Sequence, residues 1–142
     1  MNIMHEQIID LFTDPQETML KGLWFSGYRG KGEYKEWYEN GQLFKHCFYK
    51  NGKYNGEYKS WHENGQLFRH SFYKDGKKDS EYKEWYDNGN LSSHVFYKNG
   101  KYNGEYKTWF ANGKPWEHCF YKDDDEYTIE DAKELFPEGP WL

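Results

Sequence analysis

Four consecutive stretches of the chain, 32–55, 56–79, 80–103 and 104–125, align at a constant offset of 24 residues without a gap. Glu33, Tyr34, Lys35, Trp37, Asn40, Gly41, His46, Phe48, Tyr49 and Lys50 recur unchanged at +24, +48 and +72. A fixed period of about 20 to 50 residues marks an array whose units cannot bury an apolar face alone and must stack on their neighbours. Function is then expected on a surface built by repetition, not in a unique pocket.

Each unit carries two hairpin signals. Asn40-Gly41 and Asn51-Gly52 both offer the left-handed residues of a two-residue type I′ turn, and they recur down the array until Asp123-Asp124 replaces the last one. Strands of up to nine residues (42–50) and eleven residues (53–63) then alternate as an antiparallel meander. Two-residue turns would pair Trp37 with Phe44, Lys35 with His46 and Glu33 with Phe48 on one face, and His46 with Glu57 across the next turn. The other face takes Tyr34, Glu36, Tyr38, Leu43, Lys45 and Cys47, with Lys45 opposite Glu36 and Gly56 opposite Cys47. The unequal strand lengths predict that pairing slides by two residues per repeat, coiling the sheet.

The expected fold is an all-β repeat: an elongated single-layer antiparallel meander of about nine strands with short terminal helices. A half-repeat, 19–31, precedes repeats 32–55, 56–79, 80–103 and 104–125. Residues 1–18 are read as a helical cap around Ile8, Ile9, Leu11 and Phe12 that ends before Pro15, and 126–142 as an acidic helical cap and tail. Thr128 and Asp131 form a capping-box signal ahead of a helix that Pro137 stops. Such caps protect the terminal strands of an array from edge pairing.

Aromatic residues make up 22% of the chain and supply the apolar surface that Leu, Ile and Val usually provide. Residues 32–122 carry 15 basic and 12 acidic side chains, whereas 123–142 carry 1 and 8, so the net charge of −5 is a C-terminal property. Evenly mixed signs and an acidic tail argue against nucleic acid as a partner. The first twenty residues hold Glu6, Asp10, Asp14 and Glu17 without a basic start, so a secretory signal is not expected and an intracellular setting is. Cys47 and Cys119 occupy one repeat position roughly 29 Å apart across six strand spacings, too far for a disulfide within one chain.

The strings G-E-Y-x-x-W-Y-x-N-G-x-L and F-Y-K-x-G-K-x-x-G resemble the MORN repeat over residues 19–125, in the variant found in the bacterial YwqK-type antitoxin family and in large DNA viruses. The resemblance implies an elongated β-meander used for protein contacts, and in some members for lipid contacts. This chain departs from the usual pattern in its histidines at 46, 70, 94 and 118 and in Ser80 at a glycine position.

Candidate sites follow the columns of the array. Equivalent histidines lie at least roughly 9–10 Å apart at the backbone, so neighbours cannot readily share a metal ion, and no metal or other cofactor is expected. His46, His70 and His94 are read as packing beside Phe rings and bonding Glu57, Glu81 and Glu105, with His118 lacking a partner; a pH-sensitive binding row is the other reading. No catalytic residue is expected, because every chemically capable group recurs in the same environment. Cys47 and Cys119 alternate with Ser71 and Val95 and read as packing residues, and Gly27 to Gly32 as a glycine-rich turn.

The aromatic row is the expected partner surface: Trp37, Phe48, Trp61, Phe72, Trp85, Phe96, Trp109 and Phe120, together with the histidine column. The partner expected is another protein, a toxin or an assembly such as a viral particle, or a second copy of the chain. In the other reading of the row, the rings simply roof one another as the sheet curls. The alternative function is a peripheral lipid adaptor using Lys50, Lys53, Lys74, Lys77, Lys78, Lys98 and Lys101, which is not favoured because no apolar insertion accompanies them.

Overall fold

The computed structural model describes residues 23–139. These form one antiparallel meander of eleven strands that does not close: β1 (Leu23–Tyr28), β2 (Lys31–Tyr38), β3 (Leu43–Lys50), β4 (Lys53–Tyr54), β5 (Gly56–Trp61), β6 (Leu67–Lys74), β7 (Lys77–Trp85), β8 (Leu91–Lys98), β9 (Lys101–Trp109), β10 (Pro115–Lys122) and β11 (Asp125–Tyr127). Each strand pairs with the next, apart from the short β4, which pairs β3 ahead of β5. A helix, α1 (Ile129–Leu135), follows, with Thr128 as N-cap accepting a bond from the Asp131 amide at 3.1 Å. The expected helical cap 1–18 and the start of the half-repeat at 19–22 lie outside the described residues.

Eleven strands replace the expected nine for two local reasons. Asn55 interrupts the second strand of the first repeat, dividing it into β4 and β5. Asp123-Asp124 makes the same left-handed turn as Asn51-Gly52 (φ 51° and 71° against 52° and 75°), so the chain reverses once more into β11. Asp124 is anchored there by its carboxylate, which accepts from the Tyr102 amide at 2.7 Å.

The turns of the Asn40 class differ from expectation. Only Gly41, Gly65, Gly89 and Gly113 are left-handed. The Gly41 amide donates to the Tyr38 carbonyl and the Tyr38 amide to that of Gln42, which makes a three-residue loop with a glycine bulge. Trp37 therefore lies opposite Leu43, not Phe44, and the Phe44 ring packs at 5.0 Å on Tyr38. Asn40 is freed for another task. Its side chain accepts from the Gln42 amide and donates to the Glu63 carbonyl in the next repeat; Asn64 and Asn88 do the same toward Asp87 and Ala111.

The predicted slide of two residues does not occur. Between the pairs Tyr49↔Tyr54 and His46↔Lys59 the second chain advances two residues more than the first, and the same excess recurs between β6 and β7 and between β8 and β9. The surplus is taken up in a bulge whose left-handed residue is Gly56 (φ 109°), Ser80 (78°) or Gly104 (129°). Gly56 consequently sits by Phe48 and pairs with Tyr73, not opposite Cys47. Absorbing the excess locally keeps every repeat in phase with the next, so like residues meet like neighbours. A slide would sacrifice that in every unit.

Most of the core lies on one face. Cys47, Ser71, Val95 and Cys119 form a buried column, flanked by buried Tyr34 and Tyr82. Tyrosine rings roof it in a chain of contacts: Tyr34–Tyr49 at 5.6 Å, Tyr49–Tyr54 at 4.9 Å, Tyr54–Tyr73 at 5.1 Å, then Tyr82–Tyr97 at 5.6 Å, Tyr97–Tyr102 at 4.9 Å and Tyr102–Tyr121 at 5.0 Å. Lys78 stands where this chain would otherwise carry a tyrosine, and its ammonium fills the gap, 4.6 Å from the Tyr82 ring and 5.0 Å from that of Tyr97. Glu36, 5% exposed, bonds Lys45 and Arg29, both at 3.0 Å, which bears out the expected Glu36–Lys45 pair.

Candidate functional site

Strand alternation sends Glu33, Lys35 and Trp37 to the face opposite the tyrosine roof, along with His46 and Phe48. Because the bulges keep the repeats in phase, Lys35, His46, Lys59, His70, Lys83, His94, Lys107 and His118 form one continuous cross-strand line. Eight strands thus contribute an alternating row of lysine and histidine.

A glutamate of each repeat joins the row from the side. Glu57 takes Lys59 at 3.7 Å and His70 at 2.9 Å; Glu81 takes Lys83 at 3.5 Å and His94 at 2.9 Å; Glu105 takes Lys107 at 3.1 Å and His118 at 2.8 Å. The histidine partners are therefore shifted from expectation. His70, His94 and His118 bond the glutamate of the preceding strand, because the bulge carries Glu57, Glu81 and Glu105 two residues along from the histidine of the strand before. His118 has a partner after all.

His46 is the exception in the row. Its Nε2 stands 3.7 Å from Glu33, beyond hydrogen-bond range, and is buried without a partner among the described residues. Burial holds its imidazole below the ordinary histidine range despite the attraction of Glu33. Conversely, the bond from His70 holds the Glu57 carboxyl below the usual carboxylate range, and the bond from Lys35 does so for Glu33.

The histidine rings pack beside the expected phenylalanines, His46–Phe48 at 5.3 Å, His70–Phe72 at 5.1 Å and His94–Phe96 at 5.1 Å. Trp37, Trp61, Trp85 and Trp109 are half-buried, as are Phe48, Phe72 and Phe96. Phe120 is different: it is 5% exposed, against Phe136 just past the end of α1 at 5.7 Å. The protein's own C-terminal segment thus covers the last ring of the row and leaves the rest without a cover among the described residues.

Groups with chemical potential elsewhere are engaged. Arg29, in the glycine-rich turn, donates to Tyr34 Oη and Glu36, both at 3.0 Å. Cys47 and Cys119 are free and buried, and burial pushes both thiols up to about 11. Among the described residues one group has metal-ligand potential: Glu117, Cys119 and Glu126, whose ligand atoms lie within 4.8 Å of one another. With the Cys119 thiol held protonated, this group favours two carboxylates and a neutral sulfur, a weak set for a soft metal. No helix of the described residues is long and apolar enough to cross a membrane.

Sequence reasoning missed the bonds that tie the hairpin tips together. Tyr38 Oη donates to the Trp61 carbonyl at 2.6 Å, Tyr86 Oη to that of Trp109 at 2.8 Å, and His62 Nε2 lies 2.9 Å from that of Trp85. The signal was present in the column itself: Tyr38, His62 and Tyr86 can all donate, and only Phe110, in the last repeat, cannot.

Comparison with known proteins agrees with this architecture. The MORN repeat variant family matches four segments, 31–51, 54–75, 78–99 and 102–123, which together span more than half of the chain. No curated protein matches. A solved structure described as "Crystal Structure of TarM" aligns with 84% of this chain and 25% of its own at 12% identity and a TM-score of 0.44, so this chain spans about a quarter of that one, and a likeness at this level carries no argument. Four tandem matches, each holding two paired strands and the left-handed glycine turn between them, coincide with the repeats seen in the sheet: the chain belongs to the MORN repeat variant family.

Proposed function

We propose that the protein is a non-catalytic scaffold that binds another protein through the face carrying the tryptophan and phenylalanine row and the glutamate–lysine–histidine line. One observation carries this reading: the sheet satisfies its own apolar demand on the tyrosine face, yet sets an in-phase aromatic and charged row on the other, which among the described residues is covered at its last ring by Phe136. Half-buried rings flanked by fixed charges supply both the apolar anchors and the polar rim of a protein interface. A toxin or a component of a larger assembly is a partner of this class.

The test compares the intact chain with Trp61→Ala/Trp85→Ala in recovering partners from its source, after circular dichroism shows both folded. Loss of a partner by the variant supports the reading; equal recovery of every partner removes the row from consideration.

A second reading has its own observation. Lys50 pairs with Lys53, Lys74 with Lys77 and Lys98 with Lys101 across the turns of one edge, and all six are exposed. Like charges set opposite each other cost stability, which favours a role such as docking on an anionic lipid surface. Lys78 does not join them, since it lies in the tyrosine face. Flotation with anionic liposomes, lost at high salt, would favour this reading over the first.

A further inference from the structure

The two sides of the last long strand are unequal. β10 pairs with β9 from Pro115 to Tyr121, but with β11 only from Phe120 to Lys122. Among the described residues no strand lies beyond Pro115–Cys119, whereas every interior strand of its class is paired on both sides. An open strand edge offers backbone donors and acceptors to an incoming chain.

The side chains at this edge are those the array covers elsewhere. Trp116 and Phe110 stack at 5.3 Å and 16° and are 69% and 46% exposed. Their counterparts Phe44 with Tyr38 and Phe68 with His62 also touch, at 5.0 and 4.9 Å but inclined at 61° and 59°, and are half-buried; the next repeat bonds Tyr38 and His62 through its tryptophan carbonyls. Phe110 has no donor to offer a following repeat. Histidine exposure changes in step: 43% for the His118 side chain against 24–26% for the other three.

Charge at the edge is reversed relative to the interior. On the column that carries Lys45 and Arg69, each cation meets a glutamate of a neighbouring strand, Glu36 or Glu84, at 3.0 and 2.8 Å. The third member of that column, Ser93, is neutral and stands opposite Glu84; the fourth is Glu117, which is exposed and has no cation opposite it. An open cleft of about 780 Å³ runs from Glu117 past Glu126 to Glu130 and Asp131 at the start of α1. An incoming strand that follows the interior rule would place a lysine or arginine against Glu117.

We propose that the open edge of β10 over Pro115–Cys119 binds an extended basic segment of a partner protein, added as a further strand, with a cation at Glu117 and an apolar side chain over Trp116. Main-chain bonds supply affinity in this mode, and alternate side chains supply specificity. The site adjoins the row at Trp109 and shares His118 with the lysine–histidine line, but it uses the strand edge and not the sheet face, and the inference does not rest on the reading given to that face.

An end-capped peptide of about eight residues alternating lysine with valine, and its glutamate counterpart, are titrated into the full chain by fluorescence anisotropy. The lysine peptide should bind, should slow hydrogen exchange at those amides of residues 116–119 that do not already bond β9, and should weaken about tenfold with Glu117→Lys, which instead takes the glutamate peptide. Trp116→Ala should weaken it as well, and Trp61→Ala/Trp85→Ala should leave it unchanged. Three results would each overturn the proposal. One is equal binding to both peptides, or to neither. Another is slow exchange at those amides in the free monomer, meaning that residues of the chain itself already cover the edge. The third is protection that appears only with dimerisation, meaning that a second copy is the occupant.

Discussion

The two faces of this sheet solve the same problem in opposite ways. On one, tyrosine rings lean on one another over a column of small residues and leave Cys47, Ser71, Val95 and Cys119 at 0–6% exposure. On the other, tryptophan, phenylalanine and the ion-paired line stay half-open, apart from Glu105 and Phe120 near the C-terminal end. A single-layer sheet has no second layer to bury its apolar surface, so one face must be covered by its own side chains. Tyrosine suits that role because its ring roofs a neighbour while its hydroxyl finds a polar partner, as Tyr34 does with Arg29 and Tyr82 with Glu84. Once one face carries the stability, the other is free of that demand.

The largest expected effect tests that division. Tyr82→Ala should cost about 3–4 kcal/mol and Trp61→Ala about half as much or less, read as shifts of the urea midpoint. Equal costs would erase the distinction between the faces. Next comes charge. Glu36→Gln leaves Lys45 and Arg29 beside a neutral amide, and should cost about 2–3 kcal/mol, because Glu36 and Lys45 are both largely buried. Glu57→Gln on the open face, where the pair is over a third exposed at the glutamate, should stay within about 0.5 kcal/mol.

A smaller loss, about 1 kcal/mol, is expected for Asn64→Ala, which removes the bond from the Gln66 amide and the bridge to Asp87. A thermal melt unchanged by this substitution would mean that the turn ladder adds nothing to the coupling of repeats. Smallest is the pH response of the open face. Glu57 and Glu81 titrate below the ordinary 4.5 in the folded state, Glu57 through its bond from His70, and Glu81 because its bonds to His94 and Lys83 outweigh burial. Their contribution is complete above that value and fades as the pH falls through the lowered folded values. The stability gap between the wild type and Glu57→Gln/Glu81→Gln should therefore narrow from pH 7 to pH 3; a constant gap would show that the carboxylates contribute through shape and not charge.

Much of the fold could be read in advance because it depends on local rules repeated four times. The period announced the array, and the turns at Asn51 and its equivalents, the Lys35↔His46 and Glu33↔Phe48 pairings and the Glu36–Lys45 contact all follow from turn geometry and strand alternation. The Asn40 turns were misjudged because asparagine has two uses. It tolerates a left-handed backbone, but here its amide is worth more as a bridge between repeats. The candidate site was legible as columns and not as contacts: which glutamate each histidine bonds depended on a bulge of two residues.

Sequence alone decided that the chain is a stack of equivalent hairpins with its aromatic and charged residues in parallel tracks, since periodicity is a property of the chain. Tertiary structure decided which face is closed, that the stack stays in phase, and that, among the described residues, β10 keeps an unpaired edge over Pro115–Cys119. These outcomes turn on how one repeat meets the next. The pattern of a single unit permits both a slide and a bulge, and only the summed stacking of rings, turns and ion pairs across the sheet selects between them.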